Sequence, residues 1–128
     1  FKSNITTDIS GFGLASHLSD ICKSSKLSAE IKLSKDILIN KNIGILENFK
    51  STGFDNNYSS SVSEILISDS NELKNILYDP QTNGPLLLSI HEKDQIEFEK
   101  KFQLKLGFRP ILIGKFKKSV GKLINVID

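Results

Sequence analysis

The sequence predicts an α+β domain in which a mixed or largely antiparallel sheet of about four strands is covered by helices. Three patterns carry that expectation. Leu14, His17, Leu18, Ile21 and Cys22 recur at helical spacing. Leu27 to Leu33 alternates apolar and polar residues, the period of a strand with one buried face. Short apolar runs at 65–67, 86–90, 110–114 and 123–127 are separated by turn-forming residues. At 128 residues, 38% hydrophobic and 25% charged, the chain has the size and balance of one domain with one core.

The first helix is expected to run for about 11–14 residues from Leu14. Asp8 or Ser10 is placed to cap it, and Gly11 and Gly13 permit unusual backbone angles in the turn before it. After the strand at 27–33, Ile43, Leu46 and Phe49 suggest one short helix, followed by a polar surface loop from Ser51 to Ser63. Leu73, Ile76 and Leu77 mark another short helix, which Pro80 ends by disfavouring helical geometry at Asp79. The continuous apolar run Leu86 to Ile90 reads as a central strand. Ile96, Phe98 and Phe102 read as a helix closed near Gly107. The runs at 110–114 and 123–127 flank a lysine-bearing connection and read as a terminal hairpin.

Composition excludes several classes. Seventeen basic residues, all but Arg109 lysines, oppose fifteen acidic ones for a net charge of +2, too even for the clustered footprint of a nucleic-acid binder. The single cysteine, Cys22, permits neither an internal disulfide nor a multi-cysteine zinc site, and suits a reducing cytoplasmic setting. Its place on the apolar stripe points to buried packing rather than reactivity. No apolar run approaches the roughly 18 residues that would span a bilayer, and Phe1 opens no signal peptide, so no membrane partner is expected. The chain has no methionine, which reads as an excised domain.

Two segments carry chemistry. Thr7-Asp8-Ile9-Ser10-Gly11-Phe12-Gly13 leads glycines into a helix start, where exposed N–H groups and the helix dipole can hold an anion. A carboxylate there would repel a bare phosphate, but it becomes useful once a magnesium ion bridges the two. Capping is the commoner use of such residues, so on spacing alone both readings stand. Asp79-Pro80-Gln81-Thr82-Asn83-Gly84-Pro85 is a polar loop entering an apolar strand, either a ligand-facing loop or a plain connection.

Together these segments resemble a known family. Residues Thr7 to Leu18 resemble the T-D-[VI]-T-G-F-G-L-L-G-H-L signature of the selenophosphate synthetases, and Asp79 to Leu87 resemble their D-P-Q-T-S-G-G-L-L. The resemblance covers essentially the whole chain, residues 1–128. It implies the C-terminal domain of an enzyme with the aminoimidazole ribonucleotide synthetase-like fold, which makes selenophosphate, AMP and phosphate from selenide, ATP and water. It further implies that Asp8 is a magnesium ligand and that Ser10, Gly11, Phe12 and Gly13 face the phosphates of ATP. Asp79, Gln81 and Thr82 join the nucleotide site on the same ground. The nucleophile and most ligands would lie in an N-terminal domain, no catalytic residue in this chain, and the full-length protein would form a homodimer. This chain alone would be inactive and mostly monomeric.

Several positions depart from the family pattern. Ser10 replaces threonine and keeps the hydroxyl, Ser16 replaces glycine, Asn83 replaces serine, and Pro85 replaces a glycine that would offer a backbone donor. A further pattern, G-G-T-x-R-N, is faint at Thr52 to Asn57, with Asn56 where the arginine would stand. These changes open a second reading, a catalytically degenerate homologue kept for nucleotide binding or subunit contact. His17 is expected to be a hydrogen-bonded boundary residue. Lys115, Lys117, Lys118 and Lys122 are expected to be a solvated sheet edge.

Overall fold

The computed structural model describes residues 4–39, 41, 43–119 and 121–127. It has strands β1 (Ile5–Asp8), β2 (Leu27–Lys32), β3 (Ile65–Leu66), β4 (Leu86–Ser89), β5 (Gly114–Lys118) and β6 (Ile124–Ile127), and helices α1 (Gly13–Ser25), α2 (Ile43–Asn48), α3 (Thr52–Ser61) and α4 (Gln95–Leu106). The fold is α+β. A four-stranded mixed sheet has the order β3-β6-β2-β5, and β1 and β4 form a separate antiparallel ribbon.

The alternation in β2 does what its period requires. Ala29 lies opposite both Phe116 of β5 and Ile124 of β6, and Ile31 lies opposite Gly114 and Val126. One face of the sheet is thereby apolar, and α1 covers it with Leu14, Ala15, Leu18 and Cys22. Ile9, Leu33, Phe54, Ile65, Leu77, Tyr78 and Ile124 complete the core. Burial raises the Cys22 thiol pKa, in keeping with a packing role. An apolar cavity of about 50 Å³, lined by Ile5, Leu18, Ala29, Leu87 and Phe116 among others, lies between ribbon and sheet.

Four expectations are corrected. The Ser51 to Ser63 stretch is not a surface loop, since α3 occupies most of it and buries Phe54, Asn57 and Ser61. That face has helical spacing but only one large apolar residue, so hydrophobic periodicity cannot reveal it. The terminal hairpin does not form, because β2 lies between β5 and β6, antiparallel to the first and parallel to the second. The strand before it is Gly114–Lys118 rather than 110–114, with Phe116 turned inward between lysines. Leu86 to Ile90 is no central strand: among the described residues β4 pairs with β1 alone, and Leu86 is 60% exposed.

Elsewhere sequence and structure agree. Gly107, in the left-handed conformation, closes α4. The helix expected around Leu73 to Leu77 is a 3-10 turn over Lys74–Leu77. For the helix expected from Ile43, Leu46 and Phe49, α2 supplies the backbone, the side chains of Ile43 and Leu46 lie outside the described residues, and Phe49 is exposed. β5 is an edge strand, and its Lys115 and Lys117 pair with Glu30 on β2, as a charged edge requires. Lys122 donates to the Ser63 carbonyl.

Burial predicts the cost of truncation. Ile124 is fully buried, so Ile124→Ala is expected to cost about 2–5 kcal/mol in urea unfolding. Ile96 on α4 is 71% exposed, and Ile96→Ala is expected to stay within about 0.5 kcal/mol. Equal losses at the two positions would contradict this placement of the core.

Candidate functional site

The site is built where the ribbon ends. Asp8 is the last residue of β1, opposite Leu86, and its side chain is exposed. Past it, the Ile9 N–H donates to the Pro85 carbonyl at 2.9 Å. The Ser10 carbonyl accepts both the Gly13 N–H at 3.0 Å and the Gln81 N–H at 3.1 Å. Two glycines make this approach possible. A Cβ on Gly84 would stand 2.1 Å from the Ile9 oxygen, and one on Gly13, whose φ is +75°, would stand 2.9 Å from the Leu77 oxygen.

The expected cap is corrected here. The N-cap of α1 is Phe12, no side chain caps the helix, and its first turn carries no acidic residue. Asp8 is held in β1, and Ser10 is engaged by His17 instead. The Ser10 backbone N–H donates to His17 Nε2 at 3.2 Å. Since an N–H can only donate, Nε2 is the acceptor, and the Ser10 hydroxyl, 2.9 Å from the same nitrogen, donates to it as well. His17 is thus a half-buried, hydrogen-bonded residue, with Phe12 edge-on to its ring at 6.3 Å. Among the described residues no side chain caps the start of α1, where the Gly13 N–H is taken by the Ser10 carbonyl.

The second loop faces the same place. Asp79 and Gln81 are half-buried and Thr82 is exposed. Gln81 Nε2 donates to Asp79 Oδ2 at 2.7 Å. Burial raises the Asp79 carboxyl above its ordinary pKa, and the Gln81 hydrogen bond opposes this. Pro85 contributes its carbonyl to the Ile9 contact, and a proline keeps that group.

A third segment completes the cluster. Gly53, in the first turn of α3, sits against Pro80, where an added Cβ would lie 3.0 Å from Pro80 Cγ. Asn57 reaches back to donate to the carbonyls of Gly11 and Tyr78. The sequence offered Asn57 only as part of a faint motif. The usable signal was the helical spacing of Phe54, Asn57 and Ser61.

Among the described residues no group of three or more His, Cys, Asp or Glu side chains could hold a metal ion. Asp8 therefore supplies one exposed carboxylate. That is a donor set suited to magnesium that takes its remaining ligands from phosphate and water, and unsuited to a closed all-protein site. Asp8, Gly11, Phe12 and Thr82 are each exposed, and none of them lines the apolar cavity.

Curated relatives share this sequence over most of its length. A selenide, water dikinase of Clostridioides difficile (strain 630) is 32% identical over 130 residues, covering 99% of this chain and 37% of the relative. Selenide, water dikinases of Shewanella sp. (strain ANA-3) and Shewanella baltica (strain OS155) are 34% and 35% identical over 94 residues, covering 73% of this chain and 27% of each relative. The chain is a selenophosphate synthetase-like domain. It spans about a third of the length of the curated relatives it matches. No protein-family model matches it. Among the described residues no helix of this selenophosphate synthetase-like domain is long and apolar enough to cross a membrane.

The raised Asp79 carboxyl gives a pH test. A folded-state pKa above the unfolded value means that the folded chain holds the extra proton, so this group's contribution to stability falls as pH rises through the carboxylate range. Asp79→Asn keeps an acceptor for Gln81 and cannot ionise. Measured by urea unfolding, its stability relative to the unmodified chain is expected to be more favourable at pH 7 than at pH 3. A reversed order would contradict the assigned cause.

Proposed function

We propose that this chain is the C-terminal part of an ATP-dependent selenophosphate synthetase and supplies one wall of a shared magnesium–ATP phosphate site. The observation that carries the reading is the meeting of three signature segments, 7–13, 52–57 and 79–85, around one uncapped helix start. The overall reaction would convert selenide, ATP and water to selenophosphate, AMP and phosphate.

Each residue then has a defined task. Asp8 presents its carboxylate at the open surface and would hold the cation. Gly11 and Phe12 bring exposed backbone and the positive end of α1 toward the phosphates, while Gly13, its N–H held by the Ser10 carbonyl, shapes the turn that presents them. Ser10 shapes that turn through His17 and through its carbonyl. The Asp79–Gln81 pair and Thr82 line the facing loop, with Gln81 holding the carboxylate of Asp79. Bound magnesium would supply neutralisation of phosphate charge as it builds in the transition state. The remaining ligands, the nucleophile and the selenide site would come from an N-terminal domain, and the complete protein would be a homodimer. With a single carboxylate the chain alone turns over no ATP.

One observation favours a second reading. Asn56, where the family pattern has arginine, is exposed and offers no positive charge to a phosphate. A homologue retained for nucleotide binding or subunit contact would tolerate that loss.

The test is Asp8→Asn. Asparagine keeps the shape but loses the charge. In the complete protein the metal reading expects magnesium-dependent selenophosphate formation to fall on the order of a hundredfold or more at limiting magnesium. The thermal transition of this domain should stay unchanged. Unaltered activity in the variant would remove Asp8 as a ligand, and an unmodified complete protein without activity would favour the second reading.

A further inference from the structure

We infer that Asn57 is a positioning residue for the proposed phosphate site: it sets the distance between the turn at Gly11 and the loop at Asp79 to Thr82 without touching the nucleotide. This rests on the reading of the site given above.

Asn57 is buried at 7% exposure on the inner face of α3. Its Nδ2 donates to the Gly11 carbonyl at 2.9 Å and to the Tyr78 carbonyl at 3.0 Å. Both partners are carbonyls, which only accept, so the amide nitrogen must face them, and its two hydrogens are both used. The acceptors stand 46 and 21 residues away in sequence, one inside the first signature segment and the other immediately before the second. A single side chain therefore ties the exposed turn to the residue that precedes Asp79.

Neither carbonyl can be served equally well by another residue type of this size. Aspartate has no donor when ionised, leucine has none at all, and serine is too short to reach both acceptors. The helix that carries Asn57 is held independently. The rings of Phe54 and Tyr58 lie edge-on to Tyr78 at 5.9 and 5.0 Å, and Gly53 packs on Pro80. Removing the amide should thus loosen the two loops from each other while α3 stays docked.

Hydrogen exchange in the chain reads the loops directly. In Asn57→Ala the Gly13 and Gln81 amides, both bonded to the Ser10 carbonyl, are expected to exchange about tenfold faster, the scale of one or two hydrogen bonds. The Ala29 and Lys32 amides, bonded to the Leu123 and Ile113 carbonyls, should keep their rates. In the complete protein the KM for magnesium–ATP should rise by about tenfold, with the KM for selenide unmoved. A merely structural role would lower the amount of active protein and leave KM alone. Asn57→Leu, which fills the volume without a donor, gives a second measurement if the alanine variant does not fold.

Unchanged exchange at Gly13 and Gln81, an equal rise at all four amides, or failure of both variants to fold would overturn the inference. So would an unmoved KM in a protein whose Asp8→Asn variant has lost its magnesium dependence. If Asp8→Asn itself changes nothing, the reading of the site fails, while the exchange data still decide whether Asn57 holds the loops.

Discussion

The Ser10 carbonyl is the joint on which the site depends. It accepts one N–H from the start of α1 and another from the loop before β4, so the helix that covers the sheet and the loop that enters the ribbon share a single oxygen. Close contacts on either side crowd the same region. Gly84 must lack a side chain because the Ile9 carbonyl occupies its place, and Gly13 must lack one because the backbone at Leu77 to Asp79 does. His17 holds Ser10 from the helix side, and Asn57 holds the neighbouring carbonyls from α3. With Ser10 and Asp79 held from several directions, Asp8, Gly11, Phe12 and Thr82 are among the groups left exposed.

The parts of the fold that bury apolar residues at a regular period were legible in the sequence. The stripe from Leu14 to Cys22, the alternation from Leu27 to Leu33 and the glycine stop at 107 each impose one local structure whatever the partners are. The parts that escaped depend on partners. α3 buries Asn57 and Ser61 against carbonyl and hydroxyl groups of other elements, a stabilisation that hydrophobic pattern does not register. The order of the sheet was hidden for a related reason. Two apolar runs separated by a short connection look the same whether they pair with each other or flank a third strand, and here β2 takes the place between them.

The site was legible through its two long signatures, and the structure shows why they are spaced as they are. Asp8 and Leu86 share a register position in the ribbon, so the turn after one strand and the loop before the other must meet. What the pattern could not give was the use of each residue. Ser10 has the chemistry of a cap yet spends its hydroxyl on His17. Pro85 departs from the family, yet the group it supplies is a carbonyl, which proline retains.

The central claim, that these segments form one surface for a metal-bound phosphate, is tested most directly by paramagnetic broadening. Manganese(II) and ATP added to the isotope-labelled chain at millimolar concentration should broaden the amide signals of Asp8 to Gly13 and of Gln81 and Thr82. The signals of α4, Gln95–Leu106, should remain sharp. Broadening centred on α4, or sharp signals from Asp8 to Gly13 while other regions broaden, would contradict the account.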